Sequence, residues 1–148
     1  MDKNVIKQII LNQQDFIGRI KLQSRNVCFE ENANYVLVGI RRAGKSYMLY
    51  QHIQHLVANG HSIEEMLFIN FEDERISDIR KEDLYLILEA YRELFAFQPI
   101  IFLDEIQNVE GWEHFARRLA DEKYRVFITG SNAHMLSREI SSTLGGRY

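Results

Sequence analysis

Glycine, lysine and serine recur at a telling spacing in Gly39-Ile40-Arg41-Arg42-Ala43-Gly44-Lys45-Ser46. The pattern G-x-x-x-x-G-K-[ST] is that of a phosphate-binding loop, and it follows an apolar run, Tyr35-Val36-Leu37-Val38, as a strand would enter such a loop. Gly39 and Gly44 free the backbone to bend, so that the N–H groups of Ile40, Arg41, Arg42 and Ala43 can point inward at an anion. Lys45 adds a point charge for β- and γ-phosphates. Ser46 offers a hydroxyl to Mg2+. A helix starting there turns its positive end toward the same place. By composition alone the pattern would arise in on the order of one chain of this length in two hundred. The bland alternative is an ordinary glycine-rich strand-to-helix turn.

A second run, Pro99-Ile100-Ile101-Phe102-Leu103-Asp104-Glu105, is continuously apolar and ends in two acids. A run without alternation fits a strand buried on both faces of a parallel sheet. Ligands bind at the carboxyl ends of such strands. This is a Walker B pattern. Asp104 would hold Mg2+ through water, and Glu105 would polarise an attacking water. Two acids in a solvated turn are the plain alternative, but the two motifs are independent and point to one chemistry. Ser131 and Asn132 follow a further apolar run. They can hydrogen-bond a γ-phosphate or the attacking water, or cap the next segment, and these roles are compatible.

The chain has 148 residues, 46% of them hydrophobic, enough for one domain with a core. Lys and Arg number 18 against 21 Asp and Glu, a formal charge of −3 that gives no reason to expect nucleic acid as a partner. The lone Cys28 has no internal disulfide partner and reads as a buried thiol. No signal peptide and no membrane-spanning run is evident, which predicts a cytoplasmic setting.

The elements that must position these residues follow from periodicity. An amphipathic helix is expected over residues 3–13, packed outside the sheet. Strands are expected near 35–39, 66–71, 99–105 and 125–130. Helices are expected near 44–58, stopped by Asn59-Gly60, and near 82–96. Trp112, Phe115, Ala116 and Leu119 form a further helical stripe. Strand and helix alternate, which predicts an α/β fold: a three-layer α/β/α sandwich around a mostly parallel sheet.

The ordered series of the P-loop, Phe102-Leu103-Asp104-Glu105-Ile106-Gln107, Trp112, Ile128-Thr129-Gly130-Ser131-Asn132 and Thr143-Leu144-Gly145-Gly146-Arg147 resembles the prokaryotic AAA-type P-loop ATPases. In these the ATPase domain is usually followed by a second domain of unknown role. The resemblance covers essentially the whole chain. It implies an AAA-like core of the class with an additional strand and a catalytic glutamate, in which a strand lies between the P-loop and Walker B strands. Here that strand would end at Gly130. It implies ATP and Mg2+, with Gly39 to Ser46 on the phosphates, Ser46 and Asp104 on the metal, and Glu105 and Ser131 in catalysis. Arg147 matches a Gly-Arg of the family pattern and can act as an arginine finger, in cis or on a neighbouring subunit of a homo-oligomer, or sit solvated. The family pattern continues beyond Tyr148 into a fifth strand, a helical lid and the second domain. The expectation is therefore a single ATPase core over 1–148, with an N-terminal extension over about 1–34, lid and C-terminal domain absent, and the P-loop strand on an open sheet edge.

Two function classes fit. One is Mg2+-dependent ATP hydrolysis with Glu105 orienting water; the other is a nucleotide-dependent switch that changes contacts to an unnamed protein partner with little turnover. ATP over GTP follows from the resemblance, and no guanine-reading N-K-x-D occurs. A DNA motor would want a basic stripe, and a small-molecule kinase a substrate lid. Arg41 and Arg42 can read a phosphate or face solvent. His52 and His55, three apart on one helix, lack an evident third metal ligand. Glu72 is a candidate acid near the pocket.

Overall fold

The computed structural model describes residues 1–22, 34–38 and 44–131. Among them four strands form one parallel sheet: β1 (Tyr35–Val38), β2 (Met66–Asn70), β3 (Ile100–Asp104) and β4 (Arg125–Gly130). Their spatial order is β1-β4-β3-β2. The strand ending at Gly130, β4, thus lies between β1 and β3, as the resemblance implied. β1 is an outer strand of the sheet among the described residues.

Successive residues of a strand face opposite sides, and the two cores sort accordingly. Val36, Leu67, Ile69, Ile101, Leu103, Val126 and Ile128 face one side. There they meet α3 (Tyr85–Leu94) through Ile87, Leu88 and Tyr91, and α4 (Trp112–Asp121) through the predicted stripe Trp112, Phe115, Ala116 and Leu119. Met66, Phe68, Ile100, Phe102 and Phe127 face the other side, against Leu49, Tyr50, Ile53 and Leu56 of α2 (Lys45–Ala58). Helices on both faces of a parallel sheet make the three-layer α/β/α sandwich. Phe102 and Phe127 stack at 4.9 Å between ring centres near the middle of the second face.

The first helix, α1, runs Lys3–Arg19, longer than the 3–13 expected from its pattern. Its buried series is Ile6, Ile9, Ile10, Gln14 and Ile17, so a glutamine stands where the apolar stripe would continue. Gln14 is buried for a reason. Its Nε2 donates to the Met66 carbonyl at 2.9 Å, filling an acceptor on the outer strand β2. Ile6, Ile9 and Ile10 join the first core and Ile17 the second, so α1 wraps the β2 edge and closes it to further pairing. Gln54 of α2 in turn donates to the carbonyls of Ile17 and Ile20, both at 2.8 Å, and satisfies the end of α1. The helix expected over 82–96 divides into a 3-10 turn, Lys81–Asp83, and α3.

His52 of α2 packs against the Phe127 ring at 4.9 Å and is 5% exposed. Burial, then Arg125, His55 and His61, push its imidazole down from 6.5 to about 4. The unfolded chain therefore binds the extra proton first. Stability is fully present above pH 6.5 and is lost as pH falls toward about 4. This one residue is expected to contribute about 3 kcal/mol of that loss. Urea midpoints across this window should flatten in His52→Phe; an unchanged slope would contradict the assignment.

Candidate functional site

All four strands point the same way, so their carboxyl ends gather along one rim. α2 starts on this rim. Gly44 caps it with φ +90°, a left-handed conformation that side chains resist. A glycine cap offers no side-chain acceptor to the first-turn N–H groups, and such a helix start receives an anion well. Lys45, the first residue of α2, is only 7% exposed.

Asp104 ends β3 and is 1% exposed. Ser46 Oγ donates to its Oδ2 at 2.6 Å, and Thr129 Oγ1 donates to its Oδ1. Burial pushes the Asp104 carboxyl up; the Ser46 and Thr129 hydroxyls pull it down, Glu105 adds to the rise and Lys45 opposes it. A carboxylate so placed gains from a nearby cation. Its field also reaches Tyr50, whose phenol burial first and Asp104 second push up to about 12.

Glu105 follows with φ 57° and ψ 46°, a left-handed backbone in a non-glycine residue. Such a conformation costs about 1–2 kcal/mol and persists where surroundings fix it. Here the surroundings are specific. The Glu105 backbone N–H donates to Thr129 Oγ1 at 2.9 Å. Ser131 Oγ donates toward both carboxylate oxygens, at 2.8 and 2.9 Å. Gln107 Nε2 donates to Oε2 at 2.7 Å. Lys45 Nζ lies 3.4 Å from Ser131 Oγ. Lys45, Ser46, Asp104, Glu105 and Ser131, drawn from three separate segments, therefore share one hydrogen-bonded cluster.

Two members were not legible as site residues. Thr129 is fully buried in an apolar strand, where a hydroxyl needs partners; it links β4 to the Asp104–Glu105 corner. Gln107 was part of the motif but carried no role. Gly39 to Ala43, Asn132 and Arg147 lie outside the described residues, as does Cys28. His52 and His55 stack at 6.3 Å, and among the described residues no group of three His, Cys, Asp or Glu is placed to hold a metal ion. Of the acids after β2, Asp73 caps the turn Glu74–Ile76 and pairs with Arg75 at 2.8 Å, while Glu72 is exposed. Arg75 holds the Asp73 carboxyl below its usual range.

A family model described as an AAA domain matches residues 31–148. The chain belongs to this family of AAA-type P-loop ATPases. The match takes in Gly39 to Ser46, Asp104, Glu105, Ser131 and Arg147. The chain is also 35% identical over 150 residues to an uncharacterised protein of Methanocaldococcus jannaschii, covering 99% of this chain and 33% of that protein. It is 36% identical over 115 residues to an uncharacterised protein of Haemophilus influenzae, covering 76% of this chain and 29% of that protein. The chain thus spans about a third of the length of the curated relatives it matches. Among the described residues of the chain, no helix is long and apolar enough to cross a membrane.

AAA ATPases generally use ATP and Mg2+, and the donor set fits both. For a metal, the Ser46 hydroxyl and the Asp104 carboxylate are hard oxygen donors that would suit Mg2+. For a phosphate, the start of α2 and the Lys45 ammonium would supply the donors.

Proposed function

We propose that this AAA domain binds ATP with Mg2+ and hydrolyses it. The observation that carries the reading is the Ser46 hydroxyl seated on the buried Asp104 carboxylate at 2.6 Å, beside a Glu105 carboxylate already held by Ser131. Gly39 to Gly44 cradle the phosphates with backbone N–H groups, and Lys45 meets the β- and γ-phosphates. Ser46 and Asp104 would hold Mg2+, which would supply charge neutralisation to the phosphate oxygens. Glu105 accepts a proton from water as the water oxygen attacks the γ-phosphorus. The bond from that phosphorus to the β–γ bridging oxygen breaks, and ADP leaves with the electron pair. The proton on Glu105 then passes to solvent. Ser131 hydrogen-bonds the γ-phosphate or the attacking water. Arg147 stabilises transition-state charge, in cis or across a homo-oligomer.

The sharing of both cores by α1 and the sheet supports reading 1–148 as one ATPase core. A cytoplasmic setting and an unidentified protein partner complete the proposal. A second reading, a nucleotide-dependent switch with little turnover, is favoured by the same contact: Ser131 spends its hydroxyl on Glu105 in this structure. Phosphate release from ATP, measured with Mg2+ and with EDTA, separates them. Mg2+-dependent release lost with EDTA is the expected result. Binding of ATP without release would favour the switch.

A further inference from the structure

Gln107 stands two residues past Glu105, in the 3-10 turn Ile106–Asn108, and neither motif's spacing assigns it a task. We propose that Gln107 is the positioning residue that keeps Glu105 in place once Ser131 turns its hydroxyl to the nucleotide. The proposal rests on the reading of Glu105 as the group that activates water.

Ser131 Oγ lies 2.8 and 2.9 Å from the two Glu105 oxygens and 3.4 Å from Lys45 Nζ. A hydroxyl has one proton to give. Lys45 is a donor only, so a phosphate it binds arrives beside the same hydroxyl and competes for that proton. Ser131 cannot donate to Glu105 and to a phosphate together. When it turns, the Glu105 carboxylate retains the Gln107 amide at 2.7 Å.

Gln107 is built to stay. Its Oε1 faces the Ser131 backbone N–H at 3.4 Å while its Nε2 faces the carboxylate. Rotating the amide by half a turn would set oxygen against carboxylate oxygen and N–H against N–H. The turn beneath it is fixed at both ends. Ile106 is fully buried and Val109 2% exposed. The Val109 N–H donates to the Ile106 carbonyl at 3.0 Å, and Asn108 Nδ2 donates to the Phe71 carbonyl at 3.3 Å. A side chain on so rigid a mount holds its partner with little further ordering. Glu105 needs that, because its left-handed backbone persists only while neighbours over-determine it.

The test uses Gln107→Met, which keeps length and removes both hydrogen-bonding ends. The rate kcat should fall about tenfold or more, while KM for ATP and the Kd of a fluorescent ATP analogue stay within about twofold. In a Glu105→Gln background the same change should cost nothing further. A merely structural role would lower the melting temperature and move Kd together with kcat. A second readout is independent of turnover. The Gln107 side-chain amide signals, assigned in 15N spectra by their loss in Gln107→Met, should keep their hydrogen-bonded shift when Mg2+ and a non-hydrolysable ATP analogue are added. Amide signals that move to solvent-like positions in the loaded state would overturn the proposal. Unchanged kcat in Gln107→Met beside an inactive Glu105→Gln would overturn it alone. Normal turnover in Glu105→Gln would instead sink the reading of Glu105, and the amide signals would still decide where Gln107 stands.

Discussion

Glu105→Gln should lower phosphate release from saturating Mg-ATP by about 10²- to 10⁴-fold, the range that a positioned general base contributes. The substitution is nearly isosteric. An amide oxygen can still accept from Ser131 and Gln107, which hold the native carboxylate at 2.7 to 2.9 Å. What the amide cannot do is take a proton from water. Affinity for nucleotide should therefore stay within about twofold, since the lost interaction belongs to the transition state. Single-turnover phosphate release and an equilibrium titration on the same preparation measure both. Turnover at the wild-type rate would remove Glu105 from the chemistry, and the left-handed backbone at φ 57° would then need another explanation.

Lys45→Ala should act earlier, on binding. A charged hydrogen bond lost from a phosphate site corresponds to about 1.5–3 kcal/mol, or roughly ten- to a hundredfold in Kd, and more where the site is dry. Lys45 is only 7% exposed, which places this variant at the upper end. The fold should not suffer in proportion. The ammonium is costly to bury, and its removal leaves a small residue at a helix start whose cap, Gly44, is untouched. A melting temperature near that of the native chain, together with a weakened Kd for ATP, is the expected pair of results. Unaltered affinity would place the phosphates elsewhere.

The sheet was legible because its strands are buried on both faces. Met66–Asn70, Ile100–Asp104 and Arg125–Gly130 read as short continuous apolar runs, and two-sided burial is what produces such runs. The α4 stripe was legible because the helix buries one face against the sheet and leaves the other to solvent. Gln14 hid the last turns of α1: one buried hydrogen bond to the Met66 carbonyl lets a polar residue sit in an apolar stripe, and no pattern of hydropathy marks it. Of the cluster, Lys45, Ser46, Asp104 and Glu105 could be named from spacing, because a triphosphate and its metal would demand those groups at those intervals. Thr129 and Gln107 were not. The importance of Thr129 comes from the Asp104 oxygen its hydroxyl reaches across the β3–β4 register, and that of Gln107 from the Glu105 oxygen its amide reaches two residues back in the same turn.

Equilibrium titration of the native chain with a fluorescent ATP analogue, with and without Mg2+ and in competition with ATP and GTP, decides whether the cluster at the strand ends receives Mg-ATP. The expected result is binding in the micromolar range that tightens with Mg2+, is displaced by ATP in preference to GTP, and weakens about a hundredfold in Lys45→Ala. Binding indifferent to Mg2+ and to Lys45, or no binding at all, would contradict it.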